Sequence, residues 1–128
     1  MDYACPALRE TRQQKIDENG DRFWVIALNG SASILQASVA AGFLRRTLAE
    51  SEALPVVVDL TMVEDVDVAF LQLLVSTGKA RPRGCEISLL EVTEDHSLSK
   101  AARVAGIAPQ SDGTWFGLKY PSQRRARE

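Results

Sequence analysis

The chain has 128 residues, of which 45% are hydrophobic and 25% are charged, and its formal net charge is −2 at pH 7. This length fits one domain with its own core, and the near-neutral charge gives no electrostatic reason to expect DNA or RNA binding. Cys5 and Cys85 match no metal or redox spacing, which favours reduced thiols. No secretory signal and no membrane-spanning apolar run are recognisable. We therefore expect a soluble, cytoplasmic protein without a transmembrane segment.

A β-hairpin is predicted at the start of the domain. Residues 1–13 are expected to form an N-terminal arm or an edge strand, with a short strand over Thr11–Ile16. The following turn contains Asn19-Gly20, a pair that tolerates positive φ and is typical of hairpins. The run Phe23–Leu28 is rich in β-branched and aromatic residues, which predicts a buried strand that ends at Asn29-Gly30.

An amphipathic helix is predicted from Ser33 onward. Gln36 follows Ser33 at the spacing of a capping box, which satisfies free amides at a helix start. Apolar residues recur at helical spacing at Ile34, Leu35, Val39, Phe43, Leu44 and Leu48. The polar residues on the opposite face are Arg45, Arg46 and Glu50. This pattern indicates a helix that lies on a sheet.

The middle of the chain predicts a central strand followed by a second helix. Val56–Leu60 is apolar on both faces, as expected of a strand that is covered by other elements. An acidic turn over residues 64–67 follows, and Asp67 is a natural N-cap for a helix from Val68 to about Lys79. The inward stripe of this helix comprises Leu71, Leu74, Val75 and Gly78.

The last third of the chain predicts a strand, a helix and a final edge strand. The strand covers Cys85–Leu90, and either Thr93 or Asp95 caps the helix that follows. Gly106 is expected to end this helix in a left-handed conformation. Its apolar face comprises Leu98, Ala101, Ala102 and Ala105. Thr114–Leu118 is predicted as the edge strand, and residues 119–128 as a basic, solvated tail.

These elements predict a single α/β domain over residues 14–118. Their order is strand, strand, helix, strand, helix, strand, helix and a final strand. Such an order indicates a mixed β-sheet of four to five strands with helices packed against it. Parallel crossovers around the Val56–Leu60 strand should be right-handed.

The stretch from Val56 to Leu74 resembles the signature of the STAS family, named for sulfate transporters and anti-sigma factor antagonists. That signature is a hydrophobic strand ending in Asp-Leu-Ser/Thr, here Asp59-Leu60-Thr61, then a short acidic turn and an aspartate before a leucine-rich helix, here Asp67. Downstream matches are Gly84, Ile87–Leu90, Leu98 and Ala105-Gly106-Ile107. The resemblance covers roughly residues 14–108 and implies a STAS-like domain that binds a protein partner.

The chain departs from this family pattern in two places. The hydroxyl residue that a partner kinase phosphorylates in many STAS proteins falls at Val68, which has no acceptor oxygen. After Ile107, a stretch containing Trp115-Phe116 and a basic tail replace the usual closing apolar helix. The resemblance therefore implies an interaction domain whose phosphate switch at residue 68 is absent.

The strand-to-helix junction is the predicted partner-binding site. A loop that leads into a helix N-terminus exposes backbone amides, and its clustered acids should attract a basic patch on a partner. The predicted partner-binding residues are Glu64, Asp65, Asp67, Val68, Ala69, Phe70 and Gln72. The alternative interpretation is that Asp67 only caps the helix and the other acids are solvated turn residues.

No catalytic residue, metal site or cofactor is predicted. Asp59 at a strand end is compatible with a phosphoacceptor of the response-regulator receiver type. The comparable early strand, however, ends without the pair of acids that a magnesium site requires. His96, the only histidine, is expected at the surface or as a helix cap. The chain is therefore predicted not to be an enzyme.

The predicted function is that of a non-enzymatic interaction module in bacterial signalling or transcription regulation, resembling an anti-sigma factor antagonist without a phosphoswitch at Val68. The alternative is an accessory STAS subunit of a phospholipid ABC transporter, bound to its ATPase. The expected partner is accordingly an anti-sigma factor kinase-like protein, a signalling scaffold or a transporter ATPase, and a homodimer is left open.

Overall fold

The computed structural model describes residues 9–32, 41–42, 44–46, 49–50, 54–80 and 84–124. Its strands are β1 (Arg9–Ile16), β2 (Arg22–Ser31), β3 (Val56–Glu64), β4 (Ile87–Leu89), β5 (Thr114–Trp115) and β6 (Leu118–Lys119). Its helices are α1 (Val68–Ala80) and α2 (Ser97–Ala105). The described residues between 41 and 50 are also helical. No helix in this described part of the chain is both long and apolar enough to cross a membrane.

The strands form one mixed sheet in the order β1-β2-β3-β4-β6-β5. The pairs β2–β3, β3–β4 and β4–β6 are parallel, and the pairs β1–β2 and β5–β6 at the two edges are antiparallel. The predicted α/β class with a mixed sheet is confirmed, but the sheet has six strands where four to five were expected. The difference arises at the C-terminal edge, where two short strands replace the single predicted one.

The predicted hairpin at the start of the domain is confirmed. β1 and β2 pair along their whole shared length, from Arg9 opposite Asn29 to Ile16 opposite Arg22. The Asp17 carboxylate holds the turn, because its Oδ1 accepts the amides of Asn19 at 2.9 Å and of Asp21 at 3.0 Å. Asp17 is only 6% exposed, so this carboxylate is a structural part of the turn.

The main core lies on the sheet face that is covered by the helices. β2 and β3 contribute alternate residues to it, and α1 contributes three large side chains that are at most 1% exposed, Phe70, Leu71 and Leu74. Burial of each such side chain contributes about 1.5–3 kcal/mol. Leu44 is buried and Arg45, Arg46 and Glu50 are exposed, as the helical pattern predicts. Ser33, Ile34, Leu35, Gln36, Val39, Phe43 and Leu48 lie outside the described residues.

The two central strands run further than predicted. β2 continues past Leu28 to Ser31, and β3 continues past Leu60 to Glu64. They stay paired because an irregularity in the register absorbs one extra residue of β3: Ala27 lies opposite Asp59, but Asn29 lies opposite Met62. The extension carries the start of α1 to the carboxyl edge of the sheet.

The C-terminal edge is a tight hairpin. Phe116 and Gly117, between β5 and β6, both have positive φ, 58° and 76°. This combination matches a two-residue hairpin turn, in which a phenylalanine is rare. Phe116 is held there by stacking on Trp115 with ring centroids 4.8 Å apart. The turn packs closely against α1 at Gly78. A Cβ atom there would lie 2.7 Å from the Phe116 carbonyl oxygen, so a larger residue would not fit without movement of the backbone.

The structure differs from the expected solvated tail. Lys119 belongs to β6, and Arg124 reaches back across the domain. The Arg124 guanidinium donates to Asp17 Oδ2 at 2.8 Å and to Glu86 Oε2 at 2.9 Å, while Lys119 pairs with Glu86 Oε1 at 3.1 Å. Sequence spacing could not reveal these pairs, since Asp17 and Arg124 are 107 residues apart.

Candidate functional site

The junction between β3 and α1 is anchored to the end of β2. The Ala32 amide donates to the Glu64 carbonyl at 2.8 Å, and the Asp67 amide donates to the Ala32 carbonyl at 3.4 Å. Between them, Asp65 takes a left-handed conformation with φ 51°. Aspartate is among the few residues that adopt this region readily, so the short turn is compatible with its sequence.

Asp67 is the N-cap of α1, as predicted. Its Oδ1 accepts the amides of Ala69 at 3.0 Å and of Phe70 at 3.3 Å. Its carbonyl also accepts the amides of Phe70 and Leu71, which closes the first turn. Oδ1 of the Asp67 carboxylate is therefore committed to the helix cap.

The exposed part of this region forms what we call the junction surface: Met62, Glu64, Asp65, Val68 and Gln72. Met62 is 61% exposed and Val68 is 58% exposed. Glu64 and Asp65, which lie between these two residues in sequence, are also exposed, and Gln72 lies one helical turn after Val68. Ala69 is half-buried at the margin of this surface.

Phe70 was predicted to bind a partner, and this prediction is wrong. Its side chain is 0% exposed and belongs to the core. The reason is helical geometry, because residues two positions apart on a helix point about 200° away from each other. When Val68 and Gln72 face solvent, Phe70 faces the sheet.

Met62 is the site residue that the sequence analysis missed. In a regular strand, residues 60 and 62 share a face, and Leu60 is fully buried. The extra residue of β3 in the register with β2 interrupts this alternation. As a result Thr61 and Met62 are both exposed, while Val63 is buried again. No residue type in Leu60-Thr61-Met62-Val63 signals such a bulge.

Asp59 and Thr61 form a local pair at the site. Oδ1 of Asp59 accepts both the Thr61 amide at 2.9 Å and the Thr61 hydroxyl at 2.7 Å. The Thr61 hydroxyl is therefore occupied by this carboxylate. The pair stiffens β3 at the point where its register changes.

His96 connects a second loop to the junction. It is the N-cap of α2, where Thr93 or Asp95 was predicted: its Nδ1 accepts the Leu98 amide at 3.0 Å. Because an amide only donates, the proton of the neutral ring lies on Nε2, which donates to the Thr61 carbonyl at 3.2 Å. His96 was expected at the surface or as a helix cap, and the structure shows the cap, although histidine is not among the residues usually favoured there.

This hydrogen bond brings more acids to the same edge of the sheet. Glu91, Glu94 and Asp95, on the loop before His96, are all exposed. A hydrogen bond from Thr93 lowers the pKa of Asp95 below its usual value. The carboxyl edge of the sheet therefore has a larger acidic surface than the junction alone provides.

Comparison with protein-family models matches residues 5–109 to the family described as Mlab, STAS domain. The chain belongs to the STAS family. The match spans most of the chain, including β1–β4, α1, α2 and the junction surface, and it confirms the family suggested by the resemblance. No curated protein sequence matches this STAS domain.

Comparison with solved structures supports the fold. An anti-sigma factor antagonist from Mycobacterium paratuberculosis is similar over 83% of each chain, with a TM-score of 0.63 and 15% sequence identity. A protein of the DUF3478 family with a SpoIIAA-like fold, from Shewanella loihica, is similar over 83% of this chain and 82% of its own, with a TM-score of 0.47 and 12% identity. The first likeness establishes that the mixed sheet and its helices form an α/β STAS-type fold.

Proposed function

We propose that this STAS domain is a non-enzymatic interaction module that binds a protein partner through the junction surface. The observation that carries the proposal is the pair Met62 and Val68, two large apolar side chains that are more than half exposed. Exposed Glu64 and Asp65 lie beside them. An apolar centre with an acidic border fits a partner surface that has an apolar contact surrounded by basic residues.

The frame that holds these side chains is well bonded. The Asp67 cap, the Asp59–Thr61 pair and the link from His96 to the Thr61 carbonyl all fix backbone within a few residues of Met62 or Val68. A surface that is ordered before binding loses less conformational entropy when a partner docks. This rigidity supports a role in recognition.

We further propose that the module acts in bacterial signalling or transcription regulation, like an anti-sigma factor antagonist, in the cytoplasm. Val68 stands where the family resemblance places the phosphorylated hydroxyl, so binding at this surface would not be switched by phosphorylation at that residue. Control of the complex would then depend on another residue or on the amount of partner.

A second candidate is an accessory STAS subunit bound to the ATPase of a phospholipid ABC transporter. The absence of a hydroxyl at residue 68 favours it, since that role does not require phosphorylation there, and the matched family description is compatible with it. The genes beside this one separate the candidates. A permease and an ATPase alongside would favour transport, whereas an anti-sigma factor kinase or chemotaxis genes would favour signalling.

Substitutions in the junction surface are expected to weaken partner capture. The double variant Met62→Ser, Val68→Ala removes both apolar contacts without adding a hydroxyl at residue 68 and leaves the core intact, since both side chains are exposed. A protein that co-purifies with the wild-type domain from its native cells should be recovered about tenfold less with the variant, as the loss of about 1.4 kcal/mol of binding free energy would produce.

Val104→Ser is the matched control for this experiment. Val104 is 91% exposed on α2, so the change removes an equally accessible valine away from the junction surface. Capture by this control should equal that of the wild type. Equal recovery with the double variant would refute docking at the junction surface.

Two substitutions of Asp67 are expected to distinguish its contribution to stability as a helix cap from the contribution of its negative charge to partner binding. Asp67→Ala should lower the free energy of unfolding by about 1 kcal/mol, and Asp67→Asn should leave it nearly unchanged, because asparagine is an equally good N-cap. Urea unfolding measures both. Asp67→Asn should still weaken partner binding if the acidic charge contributes. Binding by the asparagine variant that equals wild type at low salt would show that Asp67 only caps the helix.

Val68→Ser is expected to create a phosphorylation site without altering the fold. The side chain at residue 68 is exposed, so a serine there would be accessible to an anti-sigma factor kinase, which incubation with labelled ATP detects. The wild-type domain should stay unlabelled. Thr77 is buried and donates to the Leu73 carbonyl at 2.9 Å, and Ser76 is the exposed hydroxyl on α1. Labelling of the wild type at Thr61 or Ser76 would show that a switch exists after all.

A further inference from the structure

A concave surface lies between α2 and the C-terminal hairpin. This cleft has a volume of about 550 Å³, within the size range of protein ligand sites. Val92, Ile107, Trp115 and Tyr120 line its interior. Nothing in the proposed docking at α1 uses these residues, so the cleft requires its own explanation.

The polar atoms of the cleft floor are already bonded within the domain. Trp115 Nε1 donates to the Ile107 carbonyl at 3.2 Å. The Tyr120 hydroxyl accepts the Val92 amide at 3.3 Å and lies 3.2 Å from the Val92 carbonyl, to which it donates. Trp115 and Tyr120 also meet edge to face, with ring centroids 4.7 Å apart. Because these polar atoms are already bonded, the floor offers a ligand mainly aromatic and aliphatic surface. Such a surface favours binding of an apolar group.

The fixed geometry of the floor indicates that the cleft is formed before binding. Gly106, at φ 77°, ends α2, and the Ile107 amide bonds back to the Ala102 carbonyl at 2.9 Å. This turn positions Ile107 against the aromatic pair. An occupant would therefore not need to order these side chains.

The rim of the cleft is charged. Glu91 and Glu94 are exposed there with one basic residue, Arg103, whose guanidinium donates to the Glu94 carbonyl at 3.2 Å. Asp95, whose pKa is lowered by the Thr93 hydrogen bond, follows directly in the loop. Glu91 and Glu94 against the single guanidinium of Arg103 leave the cleft rim with a net negative charge, which attracts cations, whereas the charge of Asp95 is partly balanced by Lys100.

We propose that this cleft binds a peptide segment of a partner protein, with one apolar side chain in the cleft and basic residues on either side of it. The apolar floor would take the central side chain, and Glu91 and Glu94 would pair with the flanking cations. The inference does not depend on docking at the junction surface, because it involves separate residues and a separate concave surface.

Three capped tripeptides test this inference on the full chain by amide-detected NMR titration. The probes are acetyl-Lys-Leu-Lys-amide, acetyl-Glu-Leu-Glu-amide and acetyl-Lys-Ser-Lys-amide. The first should bind with a Kd of about 1 mM and shift the signals of residues 91–94 and 106–108 together with the Trp115 indole proton. The acidic peptide and the serine peptide should each bind about tenfold more weakly, because one lacks the charge match and the other the apolar contact.

Two variants assign the contacts. Ala108→Trp places a large side chain at the exposed rim and should prevent binding, and the same spectrum verifies that the variant is folded. Glu91→Gln combined with Glu94→Gln should reduce the preference for the basic over the acidic peptide. Absence of shifts in the cleft, equal binding of all three peptides, or unaltered binding to Ala108→Trp would overturn the inference. Shifts confined to residues 62–72 would overturn it too, while leaving the proposed docking at the junction surface intact.

Discussion

Replacing Phe70 by alanine is expected to lower the free energy of unfolding by about 3–5 kcal/mol. Phe70 is fully buried between α1 and the sheet, so its removal leaves a cavity that the surrounding side chains cannot fill without moving. Urea unfolding followed by circular dichroism measures the loss. A change of this size would leave a small domain close to the limit of its stability.

Val68→Ala is the matched control for Phe70→Ala. It lies on the same helix but removes exposed atoms, so the free energy of unfolding should change by no more than about 0.5 kcal/mol. The two variants should also behave oppositely toward a partner. The folded fraction of Phe70→Ala should bind normally, and Val68→Ala should be stable but bind weakly. A loss below about 1 kcal/mol for Phe70→Ala would contradict its place in the core.

The family and the strand-to-helix junction could be predicted from the sequence because their signals are local. The run Val56–Leu60 followed by an acidic turn and Asp67 specifies a strand, a turn and a capped helix within about a dozen residues. Capping is decided by residues two or three positions apart, and the structure places the Asp67 carboxylate on the amides of Ala69 and Phe70. Gly106 likewise ends α2 in the predicted conformation.

The accessible face of the site was harder to predict because it depends on register. The extra residue of β3 exposes Met62, and which side of α1 meets the sheet decides that Val68 is exposed and Phe70 buried. Both effects depend on the neighbouring strand and on tertiary packing. The segment Val68-Ala69-Phe70-Leu71 consists of apolar residues only, so its sequence does not indicate which of them face the sheet and which face solvent.

The C-terminal segment depends on contacts between residues far apart in sequence. A phenylalanine at positive φ is not a turn signal, and the close approach of its carbonyl to Gly78 involves a helix some forty residues earlier. Arg124 also depends on distant residues. The sequence predicts that it belongs to a solvated tail, but in the structure its guanidinium lies between the carboxylates of Glu86 and Asp17. Charge counting locates basic residues but not their partners.

Arg124→Ala is expected to lower the free energy of unfolding by about 2 kcal/mol. Loss of one partner from a fully buried ion pair costs about 3–5 kcal/mol, and a smaller value is appropriate here because water partly screens these groups. The side chains of Arg124 and Glu86 are 23% and 28% exposed, and that of Asp17 is 9% exposed. Without the guanidinium, the Asp17 carboxylate would stay nearly buried with only the turn amides for compensation.

The destabilisation by Arg124→Ala should also depend on pH. Burial of Glu86 acts to raise its pKa, but hydrogen bonds from Arg124 and Lys119 outweigh this and lower the pKa below its ordinary value of 4.5. A carboxyl whose pKa is lower in the folded state stabilises the fold above its unfolded pKa, and this contribution is lost as the pH falls through the folded pKa. The difference in the free energy of unfolding between wild type and Arg124→Ala should therefore be largest near neutral pH and should shrink below about pH 4.5.

Arg103→Ala provides the comparison that isolates this effect. Arg103 is an exposed arginine whose guanidinium meets a backbone carbonyl, so its removal takes away the same charge and side chain without unpairing a carboxylate. It should change the free energy of unfolding by no more than about 0.5 kcal/mol. Unfolding curves for wild type and both variants, recorded between neutral pH and about pH 3, test the two expectations together. Equal effects of the two substitutions at neutral pH would mean that Arg124 contributes no more than a solvated arginine, and the C-terminal segment would then not be anchored by its ion pairs.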